Sequence, residues 1–258
     1  MTPDPYSFTF EWFFVAVGAA AAAAYARTAL RDRPGGWRIA AFTIGIVLLV
    51  ASLNSPLETI AAHYLLLIHL LQNALVADLA PPLLILGLTP AMREAIKWRG
   101  GRPLAVLTRA RVTLPLWLLA WYGTHAAPFY EWALRSGWGL TVEHAILVLA
   151  GLLFWWPLLS GRLSTPAGLA YLGAGFASSA FLGLAYIFSS RPFYDFYADA
   201  PRLWGFSPAR DQNLGGVLMN AEQTAVFLLA IGWYVWRLLE EEHEAGTTNA
   251  ADGSRAAG

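Results

Sequence analysis

Four of the five histidines in this chain, His63, His69, His125 and His144, lie inside stretches that are otherwise apolar. An imidazole in hydrocarbon is costly, and it serves as a ligand, a proton relay or a hydrogen bond to a neighbouring helix. Cysteine is absent, so disulfides and thiolate metal sites are excluded. Any metal falls to His, Met, Asp, Glu or backbone. Imidazole suits zinc, copper and iron, and a thioether suits Cu(I), which brings Met219 into the candidate set. Glu143 and His144 are adjacent, hence about 100° apart on a helix, so they cannot share one face. His69 and Asn73 do share one, as do Met219 and Glu222. A His-x-x-x-His pair would need imidazole at 73, where this chain has an amide. Asp78 is expected near an interface, in contact with water. His243, in the polar tail, is assigned no role. No Walker loop, GxSxG or HExxH occurs.

The elements that carry these residues are set by composition. The chain has 258 residues, 57% hydrophobic and 13% charged, with a mean hydropathy of +0.48. A soluble domain carries about 25% charged residues, whereas a bilayer span needs about 20 apolar ones. Seven such stretches occupy most of the length. The expected fold is all-α: a polytopic integral membrane protein, a single seven-helix transmembrane bundle over 1–240 with a disordered cytoplasmic tail over 241–258. The expected spans are roughly Phe8–Leu30, Trp37–Leu53, Leu57–Leu88, Val112–Leu134, Gly139–Leu159, Thr165–Ser190 and Asp211–Leu239. Asn54-Ser55-Pro56 ends the second, and Pro81-Pro82 is expected to kink the third. The first span follows a segment without Lys or Arg, unlike a signal peptide, and is expected to be retained. Net charge is zero, so no basic nucleic-acid surface is implied and the bilayer is the evident partner. Trp and Tyr, among them Trp37, Trp98, Trp117, Trp121, Tyr130, Trp138, Trp155, Trp156 and Trp204, read as an interfacial belt.

Basic residues collect on cytoplasmic loops. With the N-terminus outside, all but four of the seventeen Lys and Arg fall inside, the exceptions being Arg135, Arg191, Arg202 and Arg210. Depth then follows from about 1.5 Å per residue. His63, His125, His144 and Met219 come out roughly 7–12 Å below the outer face, in one layer. His69 and Glu222 come out deeper, at roughly 16–18 Å. Several imidazoles at one depth, on separate spans, point to a shared site in the outer half of the bundle.

Ordered segments resemble the CtaG family of cytochrome c oxidase assembly factors. They are Ser55-Pro56-Leu57; His69-Leu-Leu-Gln72 with Ala80-Pro81-Pro82-Leu83-Leu84; His125 with Pro128, Tyr130, Ala133 and Leu134; Glu143-His144 leading to Gly151-Leu-Leu-Phe-Trp-Trp-Pro157; Pro192-Phe-Tyr194 with Tyr197; and Asp211-Gln212 with Gly216 and Met219. The set covers roughly Ser55 to Leu239. The resemblance implies a seven-span protein of the bacterial inner membrane that helps mature haem-copper oxidases by handling copper; the partition of basic residues puts its C-terminus in the cytoplasm. It puts His69, His125 and His144 at family histidine positions. The chain departs from the pattern at Asn73 and Leu140, where the family has His, and at Thr124 and Asn220, where it has Trp; Pro128 is displaced by one. Fewer imidazoles imply weaker metal binding.

The leading expectation is therefore a non-enzymatic assembly factor, with a haem-copper oxidase subunit as partner and copper held by His69, His125, His144, His63 and Met219. The competing expectations are a haem- or metal-binding membrane redox protein, which a Soret band would reveal, and a small proton or ion transporter. No internal repeat of the kind common in transporters is evident.

Overall fold

The computed structural model describes residues 2–256, with side chains through Glu244. Along the chain run α1 (Trp12–Asp32), α2 (Gly36–Ser52), α3 (Pro56–His63), α4 (Leu66–Ala74), a π-helical segment (Leu75–Leu79), α5 (Ala80–Gly87), α6 (Pro90–Leu107), α7 (Ala110–Thr124), α8 (Ala127–Arg135), α9 (Gly139–Leu159), α10 (Thr165–Phe188), α11 (Asp195–Asp199) and α12 (Pro208–Ala256). No strand occurs among the described residues. Five helical runs are long and apolar enough to cross a membrane: α1, Leu66–Gly87, α9, α10 and α12 as far as Glu244. The number is seven if α2 with α3, bent by 48°, and α6 with α7, bent by 73°, each count as one span. The chain is an all-α polytopic membrane protein.

Two expected boundaries move, and both moves matter to the histidines. The third span starts at Leu66, not Leu57. Ser55 caps α3 by accepting from the Leu57 amide, Pro56 fills its first turn, and the helix stops at His63. Tyr64 and Leu65 leave helical geometry, with Leu65 extended at φ −131° and ψ 123°. The fourth span ends at Thr124 rather than Leu134; a new short helix, α8, begins with Pro128 in its first turn and buries Tyr130, Ala133 and Leu134. Pro81-Pro82 produces no break: the prolines occupy the first turn of α5, where an amide proton is dispensable. The irregularity sits just before them, as the π segment.

The bundle is held by α12 lying along α10 and α4, α7 against α9, and α5 wedged between α2 and α9. Gly183 lets α10 approach α12: a Cβ there would fall 2.1 Å from Asn220 Oδ1. The tryptophans divide. Trp37, Trp98, Trp138 and Trp204 are exposed, as a belt requires, but Trp117, Trp121, Trp155, Trp156 and Tyr130 are buried. Trp117, Phe154, Trp155, Tyr171 and Phe227 form the central core, and Trp121, Tyr130, Tyr186, Tyr194, Tyr197 and Met219 form an aromatic layer towards one end. The geometry favours stacked and tilted ring pairs there, such as Tyr130 on Tyr194 at 4.2 Å between centroids.

That end also carries the N-terminal segment. Thr9 and Thr59 share a hydrogen bond, the Tyr64 hydroxyl donates to the Pro3 carbonyl, and Trp204 Nε1 donates to the Tyr6 hydroxyl. The Phe196 amide ties α11 to α8 through Glu131. At the other end, Arg38 donates to the Leu86 and Leu88 carbonyls and Arg93 to those of Leu159 and Ile85. Helix α12 is continuous past residue 240, where the sequence reading began a disordered tail. The tail's side chains beyond Glu244, and residues 257–258 altogether, lie outside the described residues.

Candidate functional site

Moving the start of the third span to Leu66 exchanges two histidines. His69 now lies one turn inside α4, near the end of the bundle, while His63 belongs to α3 and lies outside the span. What fixes that start is a residue far away in sequence. Asp211, in the first turn of α12, accepts from the Leu66 amide at 2.9 Å and the Leu67 amide at 3.0 Å. The carboxylate thus satisfies two of the amides that the first turn of any helix leaves free. Its neighbours extend the clamp. Gln212 accepts from the Phe193 amide and donates to the Arg191 carbonyl, and Asn213 donates to the carbonyls of Tyr186, Ile187 and Ser189. Three consecutive polar residues therefore hold α4, the end of α10 and the loop that carries Tyr194 and Tyr197.

The three buried imidazoles have one feature in common: each directs Nδ1 at an oxygen, and no Nε2 makes a hydrogen bond, although that of His69 faces the Glu143 carboxylate. His125 Nδ1 lies 2.7 Å from the Trp121 carbonyl, and a carbonyl only accepts, so Nδ1 bears the proton. His144 Nδ1 lies 2.6 Å from Glu11 Oε1, again an acceptor. His69 Nδ1 lies 2.8 Å from the Tyr197 hydroxyl, which itself donates to the Ala61 carbonyl at 2.6 Å. A phenol has one proton. With that proton on Ala61, His69 Nδ1 must donate. Burial, and behind it the charge of Glu143, pushes the Tyr197 phenol well above its ordinary range, so it stays a donor. The network thus puts a proton on Nδ1 of all three imidazoles; Nε2 is the remaining ring nitrogen, without a hydrogen bond on His125 and His144 and facing Glu143 Oε1 at 3.4 Å on His69.

The rings form a series rather than a closed triad. His144 is 5.8 Å from His69 between centroids, His69 is 4.9 Å from Tyr130, and Tyr130 is 5.8 Å from His125. His125 and His144, placed at one depth by the count along their spans, are not neighbours; His69 and Tyr130 stand between them, because His125 caps α7 while His144 lies within α9. Glu143 joins the series from the other face of α9. Its Oε1 is 3.4 Å from His69 Nε2 and accepts from the Asn73 amide at 3.1 Å, while Oε2 has no partner. The adjacent Glu143 and His144 therefore diverge as helix geometry demands, one towards α4 and the other towards Glu11.

Beside His144 a second group forms. Glu11, Glu58 and His144 offer ligand atoms that all lie within 4.8 Å of one another. Gln72 donates to Glu58 Oε2 at 2.9 Å and to the Ser52 carbonyl at 2.6 Å. Sequence reasoning missed Glu11 and Glu58. Glu11 and Glu58 each fell within a few residues of an expected span start, Phe8 and Leu57, where a carboxylate passes for an interfacial one, whereas α1 starts only at Trp12. The available signal was a carboxylate in an otherwise apolar stretch at each position.

His63 stands apart. It is half-buried, its Nδ1 lies 3.2 Å from the Thr59 carbonyl, and it lines a separate surface cavity of about 420 Å³ with Arg135, Phe196 and Asp199. Met219 is buried in the aromatic layer with Trp121, Tyr130, Tyr186 and Tyr194. Leu140 packs on the same layer, and Asn73 serves as the donor to Glu143. A roof of α8 and α11 closes the cluster. Tyr194 donates to the His125 carbonyl at 2.7 Å and receives from Tyr186.

A family model described as cytochrome c oxidase caa3 assembly factor matches residues 19–241. Comparison with curated proteins and with solved structures gave no match.

Proposed function

Because the chain belongs to the cytochrome c oxidase caa3 assembly factor family, we propose that it handles copper for a haem-copper oxidase subunit, with His69, His125 and His144 as the imidazole donors. The observation that carries the reading is the common orientation of the three rings, each with Nδ1 held by an oxygen. Imidazoles that bind metals characteristically donate the other ring N–H to a carboxylate, carbonyl or similar acceptor, which orients the ring and frees one nitrogen. Here a backbone carbonyl, a carboxylate and a phenol oxygen fill that role, and three Nε2 atoms are buried without a hydrogen bond, that of His69 facing Glu143 Oε1 at 3.4 Å. Leaving buried polar atoms unpaired costs about 1–3 kcal/mol each, so three together ask for a ligand.

The donor type fits copper, and copper is cargo here rather than a resident cofactor. Neutral imidazole binds Cu(I) or Cu(II) and yields Cu(I) to a thiolate-rich acceptor. Glu143 supplies a negative charge beside His69 Nε2. Asn73 and Leu140 remove two imidazoles that the family pattern holds, which weakens the hold and favours release. No bond of the cargo's client is made or broken, so the role is custody, not catalysis. The membrane is the bacterial inner membrane, and the end with the N-terminal segment, where the site lies, faces the periplasm in keeping with the basic residues at the opposite end.

The test measures copper in the purified full-length protein by elemental analysis after Cu(I) loading, for wild type and His125→Ala, His69→Ala and His144→Ala. In parallel, the variants complement a deletion strain assayed for cytochrome c oxidase activity. Copper retained by wild type and lost in the variants, with oxidase activity falling in step, is expected. Full oxidase activity in all three variants would reject the role of these histidines in assembly.

A further inference from the structure

Two residues beyond Asn73, α-helical bonding gives way to the π-helical segment Leu75–Leu79. Such segments are rare and recur at functional positions. This one turns Asp78 inward. The side chain is 1% exposed, and neither carboxyl oxygen has a hydrogen-bond partner. The expectation of a solvated interfacial Asp78 is thereby corrected. From α12, Glu222 also has both oxygens unpartnered, and Gln223 is fully buried with its amide oxygen and nitrogen unpartnered. Glu222 lies within electrostatic reach of Asp78, and Gln223 faces the Asp78 carboxyl.

No counter-charge is directed at this turn by the elements packed on it, among the described residues: His69 on α4 faces Glu143, and on α12 Arg237 pairs with Glu241 and Arg210 lies over Phe206. Helix α5 has no titratable side chain, and α2 has only Arg38, which bonds to carbonyls at the other end of the bundle. On α4, Gln72 and Asn73 are directed to Glu58 and Glu143. Helix α9 meets the segment at Gly151, whose Cβ position lies 2.1 Å from the Ala77 carbonyl oxygen, and contributes Trp155. On α9, Glu143 and His144 belong to the histidine cluster. Helix α12 adds Tyr234, which donates to the Leu158 carbonyl. Asp78 opens on a cavity of about 370 Å³ whose other walls include Pro82, Leu83, Leu86, Leu229 and Trp233.

Two ionised carboxylates without a cation cannot be accommodated in such surroundings, so something positive must join them. Calcium takes about 6–8 oxygen ligands, and two carboxyls with one amide supply fewer. An apolar wall offers no water to complete a shell. We propose that Asp78 and Glu222 share a proton, with Gln223 orienting the pair, as a proton-binding site in the membrane interior. It stands independently of what the histidines bind.

The test is infrared difference spectroscopy on the full-length protein in detergent, wild type against Asp78→Asn, Glu222→Gln and the double variant. These amides keep shape and volume, and gel filtration with circular dichroism verifies folding. Wild type shows the C=O stretch of a protonated carboxyl at neutral pH, shifted in D2O, and the double variant loses it. Titrating upward, the band falls about tenfold per pH unit once the shared proton leaves. Dicyclohexylcarbodiimide, which enters from the apolar phase and adds to protonated carboxyls, then labels Asp78 or Glu222 in peptide mass spectra. Absence of a band sensitive to the double variant overturns the proposal. So does loss of the band on adding sodium or calcium at fixed pH, which would make this a metal-cation site.

Discussion

Asp211→Ala removes both acceptors that close the start of α4, and the expected loss can be worked bond by bond. The two amide contacts are 2.9 and 3.0 Å long and the Asp211 side chain is buried. A hydrogen bond to a charged group contributes about 1.5–3 kcal/mol, and a carboxylate at a helix N-terminus adds about 0.3–1 kcal/mol. Alanine leaves the Leu66 and Leu67 amides without an acceptor, so the loss comes to about 3–7 kcal/mol. Asp211→Asn keeps one acceptor oxygen and sets an amide NH2 against the other backbone N–H, for about half that loss. Denaturation in mixed micelles, followed by circular dichroism, reads both variants. The order wild type, Asn, Ala in falling stability is expected. A loss below about 1 kcal/mol for Asp211→Ala, the level of an ordinary substitution, would refute the argument that this carboxylate sets where the third span begins.

Two further predictions use the same geometry. Tyr197→Phe deletes the hydroxyl that accepts from His69 and donates to Ala61; isothermal titration should show copper affinity down about 10–100-fold, the usual effect of removing a partner that orients a ligand, and unchanged affinity would discard the tautomer argument. Gly151→Ala places a Cβ against the backbone carbonyl of Ala77 and against Pro81, and neither can rotate away; a loss of about 1–3 kcal/mol in the same denaturation assay is expected, and wild-type stability would show that the π segment yields.

The reading of the chain as a membrane protein was legible in composition, because transfer to hydrocarbon is a local property summed along about 20 residues. The same holds for α1, α9 and α10, whose limits fall close to the expected ones. The departures cluster at two places, His63 to Leu66 and Thr124 to Ala127, and both are apolar enough to pass for continuous helix. Nothing near Tyr64 in the sequence announces a break. The break is made by an acceptor on α12, 145 residues from Leu66. The tryptophan belt failed for a related reason: hydropathy places an indole at a depth but says nothing about whether it turns inward, as Trp117 and Trp121 do.

The site divides in the same way. From the sequence alone came the residue types, the absence of thiols, the partition of basic residues between two ends, and His63, His69, His125 and His144 as the imidazoles to watch. Tertiary structure decided that His69, not His63, joins the series, that Asp78 is buried, and which nitrogen of each imidazole is held by an oxygen. Those outcomes rest on partners that no local pattern specifies: Tyr197 lies 128 residues from His69 and Glu11 lies 133 residues from His144. Position along a helix axis can be counted from the chain at a fixed rise per residue. Rotation about that axis, and where the axis stops, are fixed by contacts between distant elements.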